Sequence, residues 1–298
     1  MSEKGLIIIN SYVINPNNLY KIKRLEEEFL PYGITLEVRD AISMLPLCYG
    51  DMTQLDLSAY SFCIDMDKDM YLAKIISQGM PLFNSYESMM SSDDKMKSIL
   101  ALKGSGIRVP LTIPAPLCYT RNPKKETVSL FLDKVERSLG YPLVFKECHG
   151  SLGRQVKLIR SREELTKTEY ANLSVPHLYE AYLSRHSGHD YRIIVIDDKV
   201  ICCMERINLQ DFRSNIALGG KGYDVTDSLP DSYKEVALKA AKRLGLIYAG
   251  IDVGTDDEDN PVFIEANGNA FFTEVEEVCH VNVAKALAAC IQKKVHKS

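Results

Sequence analysis

The stretch GIDVGTDDEDNPVFIEANGN, Gly250 to Asn269, holds two apolar runs separated by a polar cluster, and each run carries a carboxylate. Runs rich in Val, Ile and Phe, bounded by Asp and Asn, read as the two strands of a hairpin. DDEDN, Asp256 to Asn260, is its turn, and the acids there form a solvated set rather than a ligand set. Residues i and i+2 of a strand share a face, so Glu265 and Asn267 project together, with Asp252 facing them across the hairpin. A carboxylate withdrawn from water is costly unless it is paired or bound to a cation. Two carboxylates and an amide oxygen are hard ligands of the kind Mg2+ takes alongside substrate phosphates. Taken alone, the second run also reads as a strand end closed by a polar turn, because Asn and Gly serve turns for backbone reasons.

Outward from the hairpin the chain keeps alternating strand and helix signals. YKEVALKAAKRLG (Tyr233 to Gly245) is an amphipathic helix, and DYRIIVIDDKVICCMER (Asp190 to Arg206) is a second hairpin, turned at DDK. HLYEAYL is a further strand, and YPLVFKECHGSLGRQVKLIRSREEL reads as strand, polar loop, strand and helix start. Ser92 or Asp93 caps a helix that carries Met96, Ile99, Leu100 and Leu102 on one side and ends at GSGIRVP. Ahead of it GLIIIN, ITLEVRD, SFCID and PLFNS are strands. The segments between them include a helix with Leu19, Ile22, Leu25, Phe29 and Leu30 at helical spacing, and another closed by Gly79. Such alternation predicts an open, mostly parallel sheet over roughly the first 90 residues. No G-x-G-x-x-G follows the first strand, so this unit lacks a dinucleotide phosphate loop and reads as a substrate or structural domain. No internal repeat or low-complexity segment is present.

Composition narrows the function classes. With 36 Lys+Arg against 40 Asp+Glu and a net charge of -4, the 298-residue chain has no broad basic field for a nucleic-acid backbone. Its apolar runs fall far short of a membrane span, and MSEKGLIIIN lacks the long apolar core of a signal peptide, so the expected location is cytoplasmic, with no membrane and no nucleic acid as partner. The 8 cysteines include no C-x-x-C pair and read as reduced core thiols.

Two further segments suit phosphate chemistry. FKECHGSLGRQV sets Lys146 at the end of an apolar strand, followed by Gly150, Ser151 and Gly153. Small residues let backbone N–H groups approach an anion, and the lysine adds a point charge, although the Walker pattern is absent. A plain hairpin loop with an exposed lysine fits the same residues. MERINLQDFRSNIALGG adds Arg206, Arg213 and Asn215, with Gly219 and Gly220 allowing a tight backbone path; arginine suits bidentate recognition of phosphate, and a salt-bridged surface loop is the alternative. Cys148 and His149 are adjacent, so on a strand they point to opposite faces and do not form a nucleophile and its base.

In their number, order and spacing these segments resemble the ATP-grasp superfamily, and within it the RimK-like α-L-glutamate ligases among the carboxylate-amine ligases. The resemblance runs through DMDKDMYLAKIISQGMPLFNS, DDKMKSILALKGSGIRVPLT, VFKECHGSLGRQV, GHDYRIIVIDDKVICCMER, DFRSNIALGG, AGIDV and IEANGNAFF. It implies an α/β chain: an N-terminal open α/β domain (1–91), then an ATP-grasp fold with a central lobe carrying the glycine-rich loop (92–178) and a C-terminal lobe carrying the metal site (179–298). It also implies residue roles. Lys95 and Lys146 would contact ATP phosphates, and Gly150, Ser151 and Gly153 would close over them. Glu180, Ala181, Tyr182 and Leu183 would read adenine, and Asp190 would lie near the ribose. Asp252, Glu265 and Asn267 would hold Mg2+ or Mn2+, and Arg206, Arg213 and Asn215 would surround the γ-phosphate and the acyl-phosphate. Many relatives follow the metal asparagine with Ser-Pro-Gly or a similar turn, whereas Gly268, Asn269, Ala270, Phe271 and Phe272 follow it here. The implied activity is ATP-dependent amide formation, with ATP, a carboxylate acceptor (a small molecule, a peptide or a protein C-terminus) and an amino-acid amine, foremost L-glutamate, as partners; a homo-oligomer is compatible with the sequence, which says little about oligomeric state. A ligase acting on a ribosomal peptide and a nucleotide-binding regulatory protein without turnover are the alternatives.

Overall fold

Residues 3–13, 15–50, 52–120 and 122–296 are described by the structure, a computed structural model. β1 (Glu3–Ile9), β2 (Ile34–Asp40), β5 (Phe62–Asp65) and β6 (Leu82–Phe83) form a parallel sheet of order β2-β1-β5-β6, and β3 (Leu47–Tyr49) with β4 (Met52–Gln54) forms a small hairpin beside it. α1 (Pro16–Phe29) starts where the Asn15 side chain accepts from the Asn17 N–H and Pro16 supplies a preset φ. Its inward face holds Lys21, Ile22, Leu25 and Phe29. Leu19 and Leu30, expected on that face, are instead 51% and 64% exposed, and a lysine is buried in their stead.

α2 (Met70–Gly79) leads to two short helices, α3 (Tyr86–Ser92) and α4 (Lys95–Ala101). The expected cap is corrected here. Ser92 closes α3, and the carboxylate of Asp94 caps α4 by accepting from the Met96 and Lys97 N–H groups. The inward face of α4 is Lys95 and Ser98, continued by Leu102, while Leu100 faces solvent. That rotation aims Lys95 at the cleft described below.

β7 (Thr112–Pro114), β8 (Leu143–Glu147), β9 (Val156–Ile159) and β10 (His177–Ala181) form an antiparallel sheet of order β7-β10-β8-β9. α5 (Lys125–Leu139) and α6 (Arg162–Asn172) cover it, and Val128, Leu132, Val135, Leu143, Phe145, Ile159, Leu165 and Tyr179 make a core of their own. A third sheet, of order β13-β12-β11-β14-β15, contains β11 (His189–Ile196), β12 (Lys199–Ile207), β13 (Lys221–Asp224), β14 (Tyr248–Thr255) and β15 (Pro261–Asn267).

The faces of this third sheet separate as strand alternation requires. Cys203, Ile251, Val253 and Phe263 pack with α7 (Asp231–Leu244). Ile194, Cys202, Met204 and Tyr248 join residues of α8 (Thr273–Cys279) and α9 (Val283–Val295), and that core continues without a break into Ile7, Phe29, Phe62 and Phe83 of the first sheet and α1. Of the cysteines expected in the core, Cys63, Cys148, Cys202, Cys203 and Cys279 are buried, but Cys48 is exposed and Cys118 and Cys290 are half-buried. Among the described residues no helix is long and apolar enough to cross a membrane.

Candidate active site

The Gly250–Asn269 hairpin forms with the expected register: Asp252 stands opposite Glu265, and Gly250 opposite Asn267. A bulge lies on the turn side of these pairs, because Val253 pairs with Phe263 and Ile264 is left over. An extra residue reverses the alternation of a strand. Phe263 can therefore enter the core under α7 while Glu265, two residues on, lines the cleft.

Asp252 is 4% exposed and is not the unpaired acid that the sequence suggested. Arg192, directly across on β11, grips both of its oxygens, with Nη2 2.9 Å from Oδ2 and Nε donating to Oδ1. Arg206 adds a contact of 3.0 Å to Oδ2, while its Nε donates to Asp190 at 2.7 Å. Burial alone would push the Arg206 guanidinium down, but Asp190 and Asp252 outweigh it and hold it above its ordinary value. Burial likewise pushes Asp190 up, and Arg206 more than reverses this. Glu265 faces Lys95 at 3.3 Å. Left without partners, neighbouring carboxylates would repel each other, but Asp190, Asp252 and Glu265 are balanced by Arg192, Arg206 and Lys95.

These donors fit a hard cation only in part. Asn267 turns Nδ2 toward the Gly250 carbonyl, 3.5 Å away, which leaves Oδ1 as its free acceptor; Glu265 is held by a single contact, and Asp252 is shared with two arginines. Among the described residues no group of three or more His, Cys, Asp or Glu could hold a metal unaided. Such a set suits a Mg2+ that arrives with phosphate oxygens to complete its shell.

Two cavities meet at the hairpin. One is a slot between the second and third sheets, walled by Val144, Val156, Ile264 and Phe212 and by the Glu180–Leu183 segment. Inside it Lys146 pairs with the buried Glu180 at 2.5 Å. Polar groups at one end of an apolar slot suit a flat heterocycle with a phosphate tail. The glycine-rich loop hangs over this slot: Arg213 donates to the Gly153 carbonyl at 2.7 Å, and Lys95 lies 3.5 Å from the Gly150 carbonyl. Gly153 sits at φ +68°, and a Cβ there would stand 2.7 Å from the Asn215 Oδ1. Gly220 gives the tight path anticipated for it, since a Cβ would lie 2.2 Å from the Ser214 carbonyl oxygen. The second cavity, about 530 Å³, opens on the other side of the hairpin toward Asn10, Asn18, Met66 and Lys68 of the first sheet's loops and α1.

Every residue to which the resemblance gives a role lines one or both of these cavities, whereas Cys148, His149, Gly219 and Gly220 line neither. Others were missed. Arg192 shares a strand face with Asp190, and that i, i+2 spacing was the available signal. Ser214, between Arg213 and Asn215, is 5% exposed and hydrogen-bonds Asp190. His186 also lines the slot, with Nδ1 buried and without a partner among the described residues.

Residues 92–291 match the RimK-like ATP-grasp domain. The chain belongs to that family. Over 297 residues it is 28% identical to a probable alpha-L-glutamate ligase 2 from Shewanella denitrificans, covering 93% of each chain. It is 29% identical over 228 residues to human N-acetylaspartylglutamate synthase A, covering 76% of this chain but only 56% of that protein. Among solved structures the D-cycloserine synthetase DcsG superposes with a TM-score of 0.76 at 14% identity, covering 98% and 99% of the two chains. The RimK domain protein from Sphaerobacter thermophilus gives 0.69 at 16% identity, covering 96% and 98%. The fold is therefore ATP-grasp.

Proposed function

We propose that this chain is an ATP-dependent carboxylate-amine ligase that joins an amino acid, foremost L-glutamate, to a carboxylate acceptor through an acyl-phosphate. The observation that carries the reading is the junction of the two cavities: Arg206, Asn215, Asp252 and Glu265 line both. A γ-phosphate reaching along the slot from Lys146 comes to rest there, within reach of a carboxylate lodged in the wider cavity. The acceptor oxygen attacks phosphorus and ADP leaves; the amine then attacks the acyl carbon and phosphate leaves.

The chain's own groups hold and neutralise the reactants. Lys95 and Lys146 bind phosphate oxygens, Arg213 and Asn215 hold the γ-phosphate, and Arg206 meets the charge that develops on the acyl oxygen. Glu180 to Leu183 line the adenine end, with Asp190 toward the ribose. Glu265, Asn267 and Asp252 are the residues that would hold Mg2+, or Mn2+ in its place, and the ion would supply charge neutralisation between phosphate oxygens. The glycine-rich loop, tied to Arg213 and Lys95, excludes water that would hydrolyse the acyl-phosphate. No side-chain nucleophile is required: Cys148, the nearest thiol to Lys146 in sequence, is buried and pushed up to about 11, chiefly by burial.

A nucleotide-binding protein without turnover would have no use for the whole constellation at the junction. The deciding experiment measures ADP release with Mg-ATP and pairs drawn from the amino acids and a panel of short peptides and dicarboxylates. Activity in the wild type and its loss in Glu265→Gln is the expected result. Release with no pair would overturn the ligase reading, and release with another amine but never with glutamate would overturn the choice of amine.

A further inference from the structure

Lys21 has no place in the chemistry above, yet it is 1% exposed and has no carboxylate partner among the described residues. Burying a lysine in this way is costly, and burial pulls its pKa down to about 7. Its Nζ lies 2.7 Å from Asn269 Oδ1, 3.4 Å from the Ala270 carbonyl oxygen and 4.6 Å from the centre of the Tyr248 ring. Around it the loop that follows the hairpin is pinned twice more: Asn84 donates to the Gly268 carbonyl at 2.5 Å, and the Tyr248 hydroxyl donates to the Ala270 carbonyl at 2.7 Å.

An ammonium donates hydrogen bonds and accepts none. The carbonyl and the ring face beside Nζ both favour that form. The amide atom turned toward Lys21 is consequently the oxygen of Asn269, and the NH2 is turned away from it. Asn269 lines the wide cavity, and its Nδ2 has no hydrogen-bond partner among the described residues.

Resting on the ligase reading, we propose that Asn269 donates its side-chain N–H to an oxygen of the substrate in the wide cavity, and that Lys21 is the positioning residue that fixes this donor's direction. The group recognised is a carboxylate or carbonyl oxygen, not an ammonium. This gives a specificity role to the sequence that stands where many relatives carry Ser-Pro-Gly.

Asn269→Asp separates this role from a purely structural tie. The carboxylate would pair with Lys21 more strongly than the amide does, so a structural tie would survive or tighten. Its second oxygen, however, would face the substrate oxygen, acceptor against acceptor. With the most active substrate pair from the ADP-release screen, KM is measured for ATP, acceptor and amine in the wild type, Asn269→Asp and Lys21→Met, with Tm recorded for each. Asn269→Asp is expected to raise the KM of one oxygen-bearing substrate at least tenfold, with KM for ATP within twofold and Tm unchanged or higher. Lys21→Met is expected to raise the KM of that same substrate and of no other. Wild-type turnover with both substrate KM values within twofold in Asn269→Asp overturns the inference while leaving the ligase reading intact. Absence of ADP release from the wild type with every pair overturns both.

Discussion

Asp252→Asn tests whether the charges on the Gly250–Asn269 hairpin are balanced before anything binds. In the unliganded protein the Asp252 carboxylate is gripped by Arg192 through two contacts and touched by Arg206 at 3.0 Å, with its side chain only 6% exposed. Breaking a buried ion pair by removing one partner costs about 3–5 kcal/mol. Asparagine keeps one acceptor oxygen, and Arg206 keeps Asp190, so the expected loss is about 2–3 kcal/mol. In a chain of 298 residues that corresponds to a fall in Tm of about 3–5 °C. Glu265→Gln is the control: Glu265 is 27% exposed and meets only Lys95, at 3.3 Å. Its removal should change stability by less than about 1 kcal/mol. Melting curves without ligand decide the matter. A Tm for Asp252→Asn equal to or above that of the wild type would mean that the carboxylate is an uncompensated charge relieved by its removal, and the neutral-site argument would fail.

The remaining predictions concern the loop and a buried acid. Gly153→Val places a β-branched residue at φ +68° with its Cβ against Asn215, so it should raise the KM for ATP at least tenfold while leaving the far-ultraviolet circular dichroism unchanged; an unaltered KM would remove the loop from nucleotide binding. Asp65 is raised to about 8, chiefly by burial. Between pH 4 and 8 the unfolded chain therefore releases a proton that the folded chain keeps, and stability contributed by this group is lost as pH rises through that window. Asp65→Asn, which still accepts from the Asp67 N–H, should raise Tm more at pH 8 than at pH 5. Equal shifts at the two values would place Asp65 in an ordinary ionised state.

How far the sequence disclosed this site depends on the kind of interaction. Strand pairing follows local pattern, so the hairpin, its DDEDN turn and the alignment of Asp252 with Glu265 were legible from alternation and turn chemistry. The bulge at Ile264 was not, because nothing in VFIEAN distinguishes a strand with an extra residue from one without it. Nor was the neutralisation of Asp252, since its partner Arg192 lies 60 residues away and only tertiary structure brings the strands side by side. Helix periodicity placed Ile22, Leu25 and Phe29 correctly and missed Lys21, because a lysine on an apolar stripe normally extends its charge to water. The same limit moved the α4 cap by a residue or two: SSDD offers several competent oxygens in a row, and packing selects Asp94.

The way the apolar interior is divided has a mechanical consequence. The first and third sheets share one continuous interior, stapled further by Asn84, whereas the Val128–Tyr179 core belongs to the second sheet and its helices alone. A packed interior resists shear, while a boundary between separate interiors yields. The molecule is thus built as an anvil and a single jaw. The anvil carries Asp252, Glu265, Asn267 and Asn269, and the jaw carries Lys146 and the glycine-rich loop. Because Gly150, Ser151, Leu152 and Arg154 also line the wide cavity, a movement of the jaw reshapes the slot and the mouth of that cavity together, while the side built on the anvil, Asn269 included, keeps its place.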